Sequence, residues 1–170
     1  MKPLLKKVTP NPQHSFSFRI DSGEKLLSNW HYHPELELVV IIRGSGTRMV
    51  GDNMENFQDG DVVLLGSNLP HHWRHEDKFI LQPEQTRAKA LVLHFIETFW
   101  GKEFLELPEM REIRNLFETS RQGLRIRGKA KKTVTELMEA MEEASPGQQL
   151  IHLLNMLQAI ARTREYTLIS

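Results

Sequence analysis

Hydrophobic and polar positions alternate through the first half of the chain in short runs that are separated by turns. Phe16, Phe18 and Ile20 alternate with polar residues, which predicts a half-buried strand. The run 36–42 is apolar at successive positions and predicts a strand that is covered on both faces. Further strands are predicted over 47–50, 55–57, 61–65, 70–74 and 88–95, with glycine-containing turns between several of them. Short strands about every ten residues are typical of a β-sandwich or a small barrel.

After residue 97 the hydrophobic period changes from two to about 3.6, which predicts helices over 108–122, over 133–144 and from 146 onward. Gly123 stands where a left-handed residue ends a helix, and Ser145-Pro146-Gly147-Gln148 is a helix start with a capping serine. The segment 124–127 is too short to assign. We therefore expect a β domain over 1–97 and a helical segment over 98–170.

The last helix carries an apolar surface wider than a single contact requires. Its main stripe is widened by Ile151 and Met156, and surplus apolar surface of this kind usually marks an interface. We therefore expect a homodimer that forms through the C-terminal helices. The stripe itself consists of Leu150, Leu153, Leu154, Leu157 and Ile160.

The amino-acid composition limits the classes of function that the protein can have. A chain of 170 residues can bury one compact core with a helical appendage. Lysine plus arginine and aspartate plus glutamate balance at 22 each, so no net charge attracts nucleic acid to the chain as a whole. The absence of cysteine excludes disulfides and thiolate chemistry. No apolar run is long enough to span a bilayer, and the N-terminal residues lack the apolar region of a secretion signal, so we expect a cytoplasmic protein without a membrane partner.

The candidate chemistry lies in the segment Trp30-His31-Tyr32-His33-Pro34-Glu35-Leu36-Glu37. On one continuous strand, His31, His33 and Glu37 would share a face, and His71 is a possible fourth ligand. Such a set can hold a divalent transition metal (Zn, Ni, Mn or Fe) and leave coordination positions open. A buried Glu37 would need a cation, either the metal or Arg48. In the plainer alternative, the two histidines are polar rim residues, and His94 is a hydrogen-bonded core residue.

These residues resemble the cupin pattern. The first motif is met by His31, His33, Glu37 and Gly44; the second is met in part by Gly60 and His71, with Gly66 where proline is usual and Asn68 where glycine is usual. Asparagine tolerates the left-handed conformation that glycine supplies there. The resemblance implies a cupin-type (double-stranded β-helix, jelly-roll) barrel.

More narrowly, the chain resembles the N-terminal sensor half of AraC-type transcription regulators over segments 30–38, 60–73 and 120–124, and at Glu165-Tyr166. That resemblance implies a domain that senses a small molecule, often a sugar or metabolite, and pairs two subunits through helices. DNA would be read only by a C-terminal helix-turn-helix domain that is missing from these residues. The pocket that we infer for the effector contains the side chains Trp30, His31, His33, Glu37, Arg48, His71 and Trp73.

Two other functions remain open at this stage. A cupin metalloenzyme, either a dioxygenase or an isomerase, would bind its metal through His31, His33, Glu37 and His71 and would need an open coordination position. A structural dimer with a vestigial pocket is the third possibility. The helices after residue 97 exceed what a minimal cupin enzyme needs, so the sensor, which is not an enzyme, is our leading interpretation.

Overall fold

The computed structural model describes residues 2–8, 14–26, 28–80, 83 and 87–170, and it places eleven strands and five α-helices within them. The first nine strands precede residue 96. They are β1 Leu4–Leu5, β2 Ser17–Ser22, β3 His31–Tyr32, β4 Leu36–Arg43, β5 Gly46–Val50, β6 Asn53–Phe57, β7 Val62–Leu65, β8 His71–His75 and β9 Lys89–Phe95. The later elements are α1 Asp77–Ile80, α2 Lys102–Glu106, α3 Arg111–Ser120, β10 Leu124–Ile126, α4 Gly128–Ala140, α5 Pro146–Thr163 and β11 Tyr166–Leu168, with 3₁₀ turns at Gly23–Leu26 and Pro108–Met110.

The strands form two sheets. The five-stranded sheet has the order β1-β3-β8-β5-β6, and the six-stranded sheet has the order β11-β10-β7-β4-β9-β2. All pairings are antiparallel except that of β1 with β3. The predicted β-rich cupin fold with C-terminal helices is confirmed.

Strand β4 lies in the middle of the six-stranded sheet, between β7 and β9, and is apolar on both faces, as its sequence predicts. Val39 and Ile41 belong to a core between the two sheets, where they join Val50 and Trp73 of the five-stranded sheet. The other parity of β4 faces the helices, and its members Leu36, Leu38 and Val40 belong to a second core that includes residues of α3, α4 and α5. One face of β4 therefore builds the interior where a ligand could bind, and the other anchors the helices.

The helices start and stop largely where local chemistry predicts. Ser145 caps α5 with the expected reciprocal bonds to Gln148, and Gly123 adopts φ 67° after α3. The prediction of a helix over 133–144 was wrong at both ends, because α4 begins at Gly128 and ends at Ala140. Its first turn is polar, so no hydrophobic period marks it, and the Glu165 carboxylate accepts a hydrogen bond from the Ala130 amide there.

The segment after residue 97 also returns two strands to the six-stranded sheet. β10 pairs with β7, and β11 pairs with β10. The helices are thus tied to the β core by backbone hydrogen bonds as well as by packing. None of the helices in the described ranges is both long and apolar enough to cross a membrane. The division of the chain at residue 97 stays a prediction.

Candidate metal site and cavity

Five side chains meet at one end of the space between the sheets. His31 on β3 is the register partner of His71 on β8, and Glu37 on β4 is the register partner of His94 on β9. His33 lies in the connection between β3 and β4. The five-stranded sheet thus supplies two imidazoles, and the six-stranded sheet supplies the carboxylate and another imidazole. All five residues are buried, with relative exposures of 5% or less.

The argument from one continuous strand was wrong, although His31, His33 and Glu37 do come together. Pro34 lies in the break between β3 and β4, and the two strands belong to different sheets. Proline cannot donate to a sheet ladder, which favours a break there. The loop before β8 holds this break, since the Asn68 amide donates to the His33 carbonyl at 2.8 Å and the Ser67 hydroxyl donates to the Pro34 carbonyl at 2.6 Å.

The same loop explains two departures from the cupin motif. Asn68 adopts φ 59°, the left-handed conformation that glycine supplies in the motif, so the predicted tolerance is confirmed. Gly66 donates its amide to the Ser120 carbonyl at 2.8 Å, a bond that proline cannot make. A Cβ at Gly66 would also lie 2.7 Å from backbone atoms of Ser120 and Arg121. Glycine at this position therefore lets the loop pack against the end of α3.

Backbone carbonyls fix the tautomers of three histidines. The Nδ1 atoms of His31, His33 and His71 lie 2.7, 3.0 and 2.8 Å from the carbonyl oxygens of Asn29, Glu35 and Leu69, respectively. A carbonyl can only accept, so each Nδ1 carries a proton, and in the neutral ring each Nε2 carries a lone pair. Candidate ligand atoms of the three rings lie within 4.8 Å of one another. Three oriented lone pairs in one small volume are the arrangement that a metal ion needs.

His94 has the opposite arrangement. The Arg19 guanidinium donates to Nδ1 of His94 at 2.7 Å, so the neutral ring carries its proton on Nε2. That proton is donated to Oε2 of Glu37, 2.5 Å away. His94 is therefore placed to orient the carboxylate rather than to bind a metal, and the expectation that it is a hydrogen-bonded core residue is confirmed.

Glu37 is the common neighbour of the cluster. Burial raises the pKa of this carboxyl, but the charge interaction with His71 and the close polar contacts with His33, His71 and His94 outweigh burial and hold the pKa well below its usual value. For His71, burial lowers the pKa, but the neighbouring Glu37 outweighs that effect and leaves it raised. For His31, burial and the nearby His71 outweigh the opposing effects of the Asn29 carbonyl and of Glu37, and lower the pKa to about 4. Glu37 is thus ionised, as a metal ligand must be.

The donor set fits a divalent transition metal. Nε2 of His71 is buried and has no hydrogen-bond partner in the part of the chain that the structure describes. Nε2 of His33 lies 3.2 Å from Oε2 of Glu37, so two acceptors face each other when the ring is neutral. A cation between these atoms removes the conflict. Imidazole and carboxylate ligands suit Zn, Ni, Mn and Fe, the metals expected from the sequence.

A cavity extends from this cluster into the space between the sheets. Its volume is about 430 Å³, part of which is open to solvent. Polar lining comes from both sheets and from the N-terminal segment. The polar lining residues are Lys6, Arg19, Asp21, Ser28, His31, Glu37, Trp73 and His75, and the apolar ones are Leu26, Val39, Ile41, Ala90 and Val92.

Four of the seven residues of the inferred pocket are not in the lining of this cavity. His33 and His71 belong to the adjoining cluster, and Trp30 and Arg48 lie elsewhere. Trp30 lines a separate groove with Lys2, Leu4 and Met49. Arg48 is 1% exposed but bonds to Glu55 at 2.8 Å, so the expectation that it partners Glu37 was wrong. Its guanidinium carbon lies 5.5 Å from the ring centre of Trp73, which does line the cavity. A ligand-binding role for Trp30 and Arg48 stays a prediction.

Sequence reasoning missed most of the lining residues, among them Arg19, Ser28 and His75. Arg19 and Ser28 lie in segments without any motif, and His75 reads from the sequence as a rim residue. Only strand parity could have found His75, since it follows His71 and Trp73 at intervals of two and shares their face.

Comparison with known families agrees with this geometry. Residues 16–81 match the family model described as "Cupin domain". This part of the chain is similar to cupin domains. No curated protein matches the sequence significantly.

Among solved structures, the chain is similar to the AraC-like transcriptional activator CuxR, with 9% identity and a TM-score of 0.47 over 86% of this chain and 47% of that chain. It is also similar to ToxT from Vibrio cholerae O395, determined with bound (E)-4-(8-methylnaphthalen-1-yl)but-3-enoic acid. That match has 11% identity and a TM-score of 0.48 and covers 88% of this chain and 57% of that chain. The chain thus spans about half the length of either protein.

Proposed function

We propose that the cupin domain is the small-molecule-sensing and dimerisation part of an AraC-type transcription regulator, and that it acts in the cytoplasm without catalysing a reaction. The observation that carries the proposal is the cavity between the sheets, which begins at the histidine–carboxylate cluster and is lined by both apolar and polar side chains. Concave pockets that are lined mainly by apolar groups, with a few placed polar groups, are typical of small-ligand sites. The motif segments that resemble AraC-type sensors point to an effector, such as a sugar or another metabolite, as the ligand.

We propose that His31, His33, Glu37 and His71 hold a divalent transition metal in this domain. When bound, such an ion supplies a positive centre that coordinates ligand oxygen atoms. The chain's own residues do the rest: three backbone carbonyls hold the rings with Nε2 facing inward, and His94 holds the carboxylate. His31 and Glu37 also line the cavity, so the metal end of the site can be reached by a ligand.

The helical segment supports dimerisation. Ile151 and Leu150 on α5 are 57% and 38% exposed, and Leu154 is half-buried beside them, so an apolar strip of α5 faces away from its own core. We propose that two copies pair along this strip. Ile151→Glu should convert a dimer to a monomer in analytical ultracentrifugation, whereas Ile96→Glu, at a 46% exposed isoleucine off the strip, should not. An unchanged oligomeric state in both variants would refute this interface.

Effector binding at one end and dimerisation at the other would be coupled through the sheet that both use, because β4 faces the cavity on one side and the helices on the other. Any such coupling requires that the effector binds two arrangements of the dimer unequally. In this proposal, DNA is read by a separate helix-turn-helix domain, and no DNA contact is assigned to residues 1–170.

The test is a metabolite screen on zinc-loaded protein by thermal shift, followed by calorimetry and by analysis of each mixture for chemical change. A sensor should give saturable binding and return the compound unaltered. Binding of no compound, with an intact dimer, would contradict the proposal and favour a structural dimer. The second candidate is a cupin metalloenzyme, which the accessible metal end of the cavity favours. Metal-dependent turnover of any compound would establish it.

A further inference from the structure

The cavity carries different chemistry at its two ends. At the metal end, the ammonium group of Lys6 acts on both His31 and His71, and the Arg19 guanidinium bonds to His94. Both cationic residues line the cavity. Asp21 pairs with Arg19 and Glu37 belongs to the cluster, so a bound divalent ion would leave this end with a net positive charge. An anionic group is the complementary partner there.

The other end is neutral and has unused hydrogen-bonding groups. Trp73 is 8% exposed and His75 is 4% exposed, and both line the cavity. The indole Nε1, both ring nitrogens of His75 and the Ser28 hydroxyl are buried without a hydrogen-bond partner in the described part of the chain. Burying such groups is unfavourable unless something pairs with them, and a cluster of them facing one cavity indicates a ligand or ordered water.

The pairing capacity of this end favours a hydroxyl or carbonyl oxygen. An indole nitrogen only donates, whereas a neutral imidazole donates once and accepts once. Burial lowers the pKa of His75 to about 4, so the ring is neutral near pH 7. A ligand hydroxyl can accept a hydrogen bond from Trp73 and either donate one to His75 or accept one from it. A carboxylate would add a negative charge at this end. The Arg48 guanidinium, 5.5 Å from the Trp73 ring centre, is not among the lining residues and already pairs with Glu55.

Strand geometry sets the length of the ligand. His71, Trp73 and His75 are successive residues on one face of β8, so neighbouring members of the row are about 6 to 7 Å apart. An extended four-carbon chain that carries an oxygen at each end spans about one such step, since each carbon–carbon bond is about 1.5 Å long.

We propose that the cavity binds a short hydroxy or oxo acid, with its carboxylate at the metal end beside Lys6 and Arg19 and its second oxygen beside Trp73 and His75. This inference rests on the proposed function of the cavity as an effector site. It adds a second polar subsite, made of Trp73, His75 and Ser28, to the metal cluster.

The experiment compares three probes by calorimetry on the zinc-loaded protein. These are 4-hydroxybutyrate, butyrate, which lacks the distal hydroxyl, and butane-1,4-diol, which lacks the carboxylate. The hydroxy acid should bind at least about tenfold more tightly than either, because a site built to pair with a hydroxyl rejects an analogue that lacks it. Equal affinities for the three probes, or tighter binding of the diol, would overturn the proposal.

Two variants test which residues form each end of the cavity. Trp73→Phe should abolish the preference for 4-hydroxybutyrate over butyrate while butyrate still binds, and Lys6→Gln should abolish the preference for the acid over the diol. Trp100→Phe is the matched control, since Trp100 also has a buried indole nitrogen without a partner in the described ranges but lies outside the cavity lining. It should leave both preferences unchanged. A Trp73→Phe protein that keeps its fold, its zinc and the full hydroxyl preference would refute the subsite.

Failure of this inference can be distinguished from failure of the proposed function. If other metabolites bind saturably and compete with one another while the three probes do not bind, the cavity is an effector site of different chemistry. If no compound of any class binds, the effector site itself is refuted.

Discussion

Protonation of His75 should destabilise the folded protein, and the size of the effect follows from its surroundings. The ring is 4% exposed, and its nearest aromatic neighbour is the Phe57 ring, with the two ring centres 4.8 Å apart. Burial alone lowers its pKa from 6.5 to about 4, and no charged group in the described ranges contributes to the change. Each pKa unit corresponds to 1.36 kcal/mol, so full protonation costs the folded state about 3 kcal/mol.

The sign follows from proton linkage. Between pH 6.5 and pH 4 the unfolded chain binds more protons at this position than the folded chain does. The contribution of His75 to the free energy of unfolding is therefore fully present above pH 6.5 and is lost as the pH falls. At pH 4.5, His75 should account for a loss of about 2.5 kcal/mol in the free energy of unfolding relative to pH 8. Other histidines add to the total loss, so a comparison with a variant is needed.

The assay is urea unfolding of the wild type and of His75→Leu at both pH values. The variant lacks the ionisable ring, so its loss of stability on acidification should be smaller than that of the wild type by about 2.5 kcal/mol. Phe57→Leu is the control for loosened packing without a change of charge, and its difference from the wild type should be the same at both pH values. If the wild type and His75→Leu lose equal stability, the protonated ring must be hydrated or paired, and the assignment of His75 to a closed neutral subsite is refuted.

Three further predictions concern the metal site and the core. Zinc at a hundredfold excess over its Kd should stabilise the protein by about 2.7 kcal/mol and raise Tm by about 5 to 10 °C. In calorimetry and thermal melts, His71→Asn should abolish this shift. His72→Asn, on the opposite face of β8, is the control and should keep it. His94→Leu should weaken zinc binding by about 10- to 100-fold in a chelator-competition assay, because it removes the donor that orients Glu37; an unchanged Kd would show that Glu37 is oriented without it. Leu157→Ala, at a fully buried position of α5, should lower the free energy of unfolding by about 2 to 5 kcal/mol. Leu168→Ala, at a 54% exposed position, should change it by less than about 0.5 kcal/mol. Equal effects of the two substitutions in denaturant titrations would contradict the packing of α5.

Local pattern was sufficient for the elements that carry a strong period or a clear cap. β4, β5 and β9 lie where alternation or continuous apolarity predicts them, and α5 begins at its capping serine. The short strands β3, β10 and β11 were missed or left unassigned because two or three residues show no period. Their formation depends on a neighbouring strand, as in the pairing of β10 with β7, and such pairing is not visible in the local sequence.

The main residues of the site could be predicted from the sequence, but the role of each residue could not. Motif spacing identifies His31, His33, Glu37 and His71, but the strand argument placed the first three on one strand, whereas the structure divides them between two sheets. The contribution of His94 depends on the register of β9 against β4, and that of Arg19 depends on the register of β2 against β9. Register between strands distant in sequence decides which side chains meet, and a single sequence does not state it.

Hydrogen-bond partners, rather than the number of histidines, indicate that a metal ion suits this cluster better than protons do. A proton can lie between Glu37 and one imidazole, which pairs one Nε2 atom and leaves the other two lone pairs without a donor. Adding a second proton would place two imidazolium rings side by side, and the ring centres of His31 and His71 are only 4.3 Å apart. Repulsion at that distance is about 4 kcal/mol at the effective dielectric constant of a protein, and burial adds to the cost. A divalent ion can accept the lone pairs of the three rings at once, so the carbonyl contacts that fix the three tautomers support the proposal of a metal ion at this cluster.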